Sequence, residues 1–338
     1  MRLYFLLPLI LFLDPLISEG QSVGKTRDAL AYFETNNLAI SKKCISVLSD
    51  FIIHTDSDQN RNHLESFRNE VQHQIHLFQK KELTQNEFAL RTEYSRFLNG
   101  LYAFAETCKS LTESSDPNDL LKLRQRMLQD FHSAEQAANR LEQEVAIFCI
   151  ENRLDKPEDG TRTGKLIREG KQRLAYLVSI QELVLPVVGF EQHCLNNFRP
   201  DSLCNGEKRR LEFAALVSEN NLKLKNLPAC CGDRQVKAAA LNSLRLFAIE
   251  AKNDLLHLDK FVKAEQQFIQ QIQQTKGKVP ENPAEKEAYR NAVRKYNSDI
   301  KSANELVHHL EKTREEHLNA YHLAQKELMD TWLTAFPE

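Results

Sequence analysis

The sequence predicts an all-α protein, an elongated multi-helix bundle with coiled-coil-like antiparallel hairpins. Apolar residues recur in steps of three and four along most of the 338 residues, and no segment sustains a period of two. The chain has only 10 Gly and 10 Pro, which leaves little material for turns. A chain of this kind folds into few, long amphipathic helices.

Four helices are predicted in the first half of the chain. Apolar stripes run through residues 30–51, 64–78, 84–108 and 117–148. Thr84 with Glu87 resembles a capping box, and Pro117 suits a first helical position, so the third and fourth helices have start signals of their own. A breaker at residues 154–164 then predicts a division into an N-terminal helical domain (21–153) and a C-terminal one (165–338).

The C-terminal half begins with the most apolar helix, from 165 to about 198, and a shorter helix covers about 207–227. Segment 174–190 is more apolar than a single stripe requires. Two interpretations fit: burial on several sides at the centre of a bundle, which we favour, or a groove for an apolar ligand or a partner helix.

The terminal hairpin is the clearest structural prediction. Two arms, 233–276 and 283–333, hold a 3.5-residue period and are joined by a short Gly- and Pro-containing loop. Asn282 is placed to cap the second arm, with Pro283 at its first position. The short loop predicts antiparallel packing of the two arms.

Polar residues interrupt the stripes of this hairpin and are candidates for setting its register. With a pivot near residue 280, Glu265 lies opposite Tyr296, which predicts a hydrogen bond from the tyrosine hydroxyl. By the same count Arg314 lies within a turn of Glu250 and is predicted to pair with it, unless its side chain extends to water. His317 is the third polar seam position.

The first twenty residues have the layout of a secretory signal peptide. Met1-Arg2 is followed by an unbroken apolar run at 3–13, and small residues precede Gln21 at cleavage-site spacing. The run is too short for a membrane-spanning helix, which needs about 20 residues. The sequence therefore predicts an exported protein, periplasmic or extracellular, with no transmembrane segment in the mature chain.

Seven cysteines follow the predicted signal peptide, and in an exported protein the default expectation is disulfides. The best local candidate is a Cys194–Cys204 bridge across a loop. Cys44 and Cys108 lie on the stripes of their own helices, as either a bridged pair or core thiols. Adjacent Cys230 and Cys231 can bind a soft metal or form a ring, but we favour a bridge from one of them to Cys149 or to the region of Cys194.

Metal, cofactor and catalytic patterns are weak. Two Glu-x-x-His pairs, Glu70/His73 and Glu305/His308, have the spacing used in di-iron bundles, but they lie off the apolar stripes and are expected to face solvent. Histidine-based zinc motifs, a nucleophile elbow, a phosphate loop and a dinucleotide fingerprint are missing. We therefore predict no cofactor and no enzymatic activity.

The predicted function is that of an exported helical interaction protein, a scaffold, adhesin-like or envelope-associated module that recognises a protein partner through helix faces. The net charge of −2 gives no basic field for nucleic acid. Exposed heptad positions would also allow self-association. The alternative is a periplasmic bundle that binds a small molecule or a metal, which requires His and Glu to converge in a cavity.

Overall fold

A computed structural model describes residues 27, 30–31, 35–53, 58–80, 88–113, 117–155, 162–196, 206–274, 280 and 282–336 of the protein. All regular structure in these ranges is helical, with no strand. The predicted fold class, an all-α multi-helix bundle, is confirmed. The predicted signal peptide lies outside the described residues.

Helices follow one another along the chain with short connections. They are α1 (residues 35–53), α2 (Asp58–Lys80), α3 (Phe88–Glu113), α4 (Pro117–Glu151), α5 (Arg162–Asn196), α6 (Gly206–Asn226), α7 (Gln235–Lys252), α8 (Asp254–Gln274) and α9 (Pro283–Ala335).

The predicted arm 233–276 differs from the structure because it is divided at Asn253 into α7 and α8. The backbone of Asn253 has φ −110° and ψ −62°, and its N–H donates to the carbonyl of Ile249 at 2.9 Å. Asparagine side chains compete with helical backbone bonding, which makes this residue a natural place for the interruption.

The start of α9 agrees with the sequence. The Asn282 side-chain oxygen accepts a hydrogen bond from the backbone N–H of Ala284 at 2.9 Å, and the Asn282 carbonyl accepts one from Lys286. Asn282 therefore caps α9, as its position before Pro283 predicts.

The chain groups into two compact units. Unit 1 runs to Leu174 and also contains the residues from Met329 onward, and unit 2 is Ala175–Leu328. The domain division proposed from the sequence, 21–153 and 165–338, stays a prediction.

The core of unit 1 is built where α3 packs between α2 and α4. Its aromatic rings meet edge to face, with 6.3 Å between the ring centres of Phe67 and Phe104 and 4.8 Å between those of Phe78 and Tyr94. Gly100 permits the close approach of α3 to α4, because a Cβ there would lie 3.1 Å from the Cα of Ala134.

In unit 2, α6 packs on α7 and α8, and α7 on α8. Phe190 of α5 stacks on Phe213 of α6 at 5.7 Å between ring centres, and Phe213 meets Phe247 of α7 edge to face. One face of the 174–190 segment of α5 is buried, with Leu177, Ile180, Val184 and Val187 fully covered. The other face is open, and Leu185 on it is 52% exposed. Burial on several sides is therefore not seen along this segment, and the choice between the two interpretations of its apolar excess stays open.

Candidate functional site

Histidines lie away from the cores. In the described parts of the chain they occupy exposed or half-exposed positions: His63, His73, His76, His132, His193, His257, His308, His309, His317 and His322. Glu305 and His308 are both exposed, as their off-stripe positions predict. No cluster of three or more His, Cys, Asp or Glu that could hold a metal ion occurs within the described ranges.

Four cysteines are buried among the helices: Cys44, Cys108, Cys149 and Cys194. Cys44 and Cys108 are thiols, which decides between the two interpretations of that pair. Burial raises the pKa of Cys108 well above its ordinary value, and the neighbouring Cys44 adds to this effect. Cys194 is also a free thiol, and its predicted disulfide partner Cys204 lies outside the described residues.

Cys230 and Cys231 are bonded to each other. The preferred prediction, a bridge from one of them to Cys149 or to the region of Cys194, was therefore wrong. Cys194 is held inside α5, where it is buried, whereas the adjacent pair sits in the short connection between α6 and α7. Two adjacent cysteines in one turn can bond to each other without any movement of a helix.

The seam pair Glu265 and Tyr296 is confirmed. The Tyr296 hydroxyl donates to Oε1 of Glu265 at 2.6 Å, and the tyrosine ring stacks on Phe268 with 4.4 Å between ring centres. This bond, with burial as a smaller cause, raises the pKa of Tyr296 to about 12. A charge-assisted bond at a buried seam position fixes the register of α8 against α9.

Arg314 finds a different partner from the one predicted. Its guanidinium donates to Oε2 of Glu191, a fully buried carboxylate in α5 that is 123 residues away in sequence. The predicted partner, Glu250, interacts electrostatically with Glu191 and Arg314. The prediction compared only the two arms of the terminal hairpin and therefore did not include residues of α5. His317, the third seam residue, is half exposed.

Glu191 and Glu250 form a buried carboxyl pair, and Arg314 donates to Glu191. Burial raises the pKa of both groups, and the charge of Glu191 raises that of Glu250 further, to about 9. Oε1 of each carboxyl is buried without a hydrogen-bonding partner. Because the pKa of Glu250 is raised to about 9, a proton held by Glu250 would let this carboxyl donate to Glu191.

One face of α6 is apolar and exposed. Leu211 and Leu222 are 56% and 62% exposed, and Ala215 and Ser218 lie between them on the same face. The spacing of these four residues, in steps of four, three and four, is that of a coiled-coil seam. The opposite face of α6 is the buried one, with Phe213, Val217, Asn220 and Leu224. We call the four exposed residues the α6 stripe.

Charged residues flank the α6 stripe along one side in the order Lys208, Glu212, Glu219, Lys223. Each glutamate pairs with a lysine one turn away, at 3.9 Å for Lys208–Glu212 and 2.6 Å for Lys223–Glu219. All four side chains are at least half exposed. They provide a defined charge pattern beside an apolar seam.

A groove of about 580 Å³ lies between α8 and α9. Its walls carry apolar side chains with a histidine and an aspartate: His257, Phe261, Ala264, Asp299, Ala303 and Leu306. This combination suits a small amphipathic molecule.

One stretch of α5, from Arg162 to Leu195, is long and apolar enough to cross a membrane by length and composition. The core helix of a soluble protein passes the same test, and part of this stretch is buried. The expectation of a mature chain without a membrane-spanning segment stays a prediction.

Sequence reasoning missed Glu191 and the α6 stripe, although both left a signal. Glu191 continues the row Val184, Val187 at helical spacing, which marks a carboxylate on a buried face. Leu211 and Leu222 lie off the row of Phe213 and Val217, which marks a second apolar face on one helix.

No protein-family model, curated protein or solved structure matches the chain. The case for a function therefore depends on the residues of this chain.

Proposed function

We propose that the protein is an exported, non-enzymatic interaction module that binds an amphipathic helix of a protein partner on the α6 stripe. The observation that carries this proposal is the exposure of Leu211 and Leu222 at coiled-coil spacing on a helix whose other face is already buried. Export itself is supported by the layout of residues 1–20.

The stripe supports a helical occupant because its geometry is periodic. Leucines at the two ends and small residues in the middle form a row of knobs and shallow holes about three turns long. Burying one leucine side chain contributes about 1.5–3 kcal/mol, so two leucines supply a substantial part of the binding free energy of a short helix.

The charged residues beside the α6 stripe favour a different protein, and not a second copy of this chain, as the occupant of the stripe. In an antiparallel pair of α6 helices, Glu212 would meet the Glu219 of the second copy, and Lys208 would meet its Lys223. Like charges placed opposite each other destabilise such a pair. The complementary occupant is a helix with an apolar seam and basic residues opposite Glu212 and Glu219.

The test compares the proteins recovered with the intact chain and with a variant of the stripe. Leu211→Glu with Leu222→Glu places two charges on the seam, and Leu128→Glu is the control, since Leu128 is a similarly exposed leucine (56%) on α4. All three proteins are isolated from an exporting host, and bound proteins are quantified by mass spectrometry.

We expect one or a few partners to be lost with the double variant and retained with Leu128→Glu. Retention of the same partners by both variants would contradict the assignment of the α6 stripe. Recovery of only a second copy of this chain would contradict the proposed occupant.

A second candidate function, a small-molecule-binding bundle, is favoured by the groove between α8 and α9. Native mass spectrometry of the purified chain tests it. A retained small molecule that is lost in Ala303→Trp, which fills the groove, would support this function, and a bare chain would count against it.

A further inference from the structure

Cys230 and Cys231 differ from the other cysteines that the structure describes. Cys231 is exposed and Cys230 is half exposed, whereas Cys44, Cys108, Cys149 and Cys194 are buried. Burial raises the pKa of Cys44, Cys108 and Cys194, so their thiolates form with difficulty. Among the described cysteines, sulfur chemistry with solutes is therefore concentrated at the adjacent pair.

The turn that carries the pair is held by bonds independent of sulfur. The N–H of Asp233 donates to the carbonyl of Cys230 at 2.9 Å, and Cys231 and Gly232 adopt left-handed φ values of 59° and 79°. The Asp233 carboxylate accepts the backbone N–H groups of Gln235, Val236 and Lys237 at the start of α7.

Asp233 is itself anchored in the core, because the buried Tyr176 hydroxyl donates to it at 2.8 Å. The Lys237 ammonium donates to the carbonyls of Lys225 and Leu227, which ties the end of α6 to the start of α7. Opening the disulfide therefore leaves two thiols side by side on a turn that keeps its shape.

The connection between α6 and α7 leaves the pair open to solutes. Arg234 is also exposed there, and Lys237 donates to the carbonyl of Leu227 across the same connection. Exposed disulfides are the labile ones. A residue other than glycine with positive φ, as at Cys231, is uncommon and concentrates at functional sites.

We propose that Cys230 and Cys231 form a redox-reversible dithiol site on the surface of unit 2, whose reduced form binds trivalent arsenicals and similar soft, thiol-seeking species. Opening requires a dithiol reductant. One of its thiolates attacks a sulfur of the pair and the other cysteine leaves as a thiolate, after which the second thiol of the reductant displaces the protein from the mixed disulfide. Two electrons pass to the pair, and the reductant becomes a disulfide.

Binding of the arsenical to the reduced pair changes no oxidation state. A monosubstituted arsenic(III) oxide condenses with the two thiols, forms two As–S bonds and releases one water. Two sulfurs on one turn act as a chelate, and loss of either thiol is expected to weaken binding by roughly a hundredfold or more, since the second bond forms at high effective concentration.

The test uses the full chain and phenylarsine oxide. The protein is reduced with a dithiol under native conditions, freed of reductant and titrated with the arsenical, and intact mass gives the number of bound phenylarsenic groups. Alkylation followed by peptide mapping identifies the protected cysteines. Cys230→Ser and Cys231→Ser remove one sulfur each, and Cys194→Ser is the control, with circular dichroism confirming that each variant is folded.

We expect one phenylarsenic group per reduced chain, protection of Cys230 and Cys231 from alkylation, no stable adduct in either serine variant and an unchanged adduct in Cys194→Ser. Equal binding of phenylarsine oxide without prior reduction would contradict the claim that only the reduced pair binds it. No adduct after reduction, or an adduct that survives in both serine variants, would overturn the site. The mapping on the wild-type chain keeps the test decisive if a serine variant fails to fold.

Discussion

The pair of buried carboxyls, Glu191 and Glu250, is the most consequential feature at the scale of single residues. Glu191 and Glu250 belong to different helices, and Arg314 can neutralise only one negative charge. Other acidic groups surround the pair, including Glu311 on the side of Glu191 and Asp254 on the side of Glu250. Ionising both carboxyls would leave a buried, unpaired charge, which is strongly destabilising.

The stability of the protein is therefore expected to fall as the pH rises. Glu250 keeps its proton up to about pH 9 when folded, whereas the ordinary value for this group is 4.5. The folded state binds more protons over that window, so the stabilisation is complete below pH 4.5 and is lost as the pH rises through 9. Glu250→Gln imitates the protonated form and should remove this loss.

We expect the advantage of Glu250→Gln over the wild type in the free energy of unfolding to be roughly 4 kcal/mol larger at pH 9 than at pH 6. Urea unfolding at both pH values measures the difference. Glu305→Gln is the control because Glu305 is exposed. A pH dependence unchanged by Glu250→Gln would contradict the raised pKa of Glu250.

The bond between Tyr296 and Glu265 gives a second prediction for single residues. Tyr296→Phe keeps the stacking on Phe268 but leaves a buried carboxylate without its donor, which costs about 1–3 kcal/mol. Glu265→Leu removes that carboxylate, and the double variant should therefore be more stable than the sum of the two single changes predicts. Urea unfolding of the three variants measures the coupling, and additive effects would show that the bond contributes nothing.

At the scale of helices, replacing glycine by alanine is expected to have opposite effects on stability at two positions. Gly189 lies in α5 with open space around the position of a Cβ, whereas a Cβ at Gly100 would press on the backbone of Ala134. Alanine improves helix propensity at both sites by about 0.5–1 kcal/mol. Gly189→Ala should stabilise by this amount, while Gly100→Ala should destabilise because α3 and α4 must separate. Thermal unfolding distinguishes them, and equal shifts would contradict the close packing.

The helices could be predicted from the sequence because the regular spacing of apolar residues along a helix does not depend on how the helices pack against one another. Asn282 capped α9, and Glu265 met Tyr296, since both depend on local spacing and one short loop. The Arg314 partner was not predictable by that route, because Glu191 comes from a helix whose position no local pattern fixes. The bonding of Cys230 to Cys231 likewise depends on which thiols the helices keep apart.

At the scale of the whole molecule, the proposed export would determine the conditions under which the protein works. Cleavage after Gly20 would leave Gln21 as the first residue. Expression in an exporting host should give a chain of that mass outside the cytosol, and Leu6→Arg, which breaks the apolar run, should keep the full chain inside. Intact mass measures this, and an exported chain that retains Met1 would contradict the cleavage.

The central claim, recognition of a partner helix on α6, is tested most directly by photocrosslinking in the exporting host. A photoreactive amino acid replaces Leu222 in one variant and Leu128 in another, and the crosslinked products are identified by mass spectrometry. We expect one dominant partner at position 222, crosslinked through a helix with basic residues beside its apolar seam, and no such product at position 128. The same products at both positions, or none at 222, would contradict it.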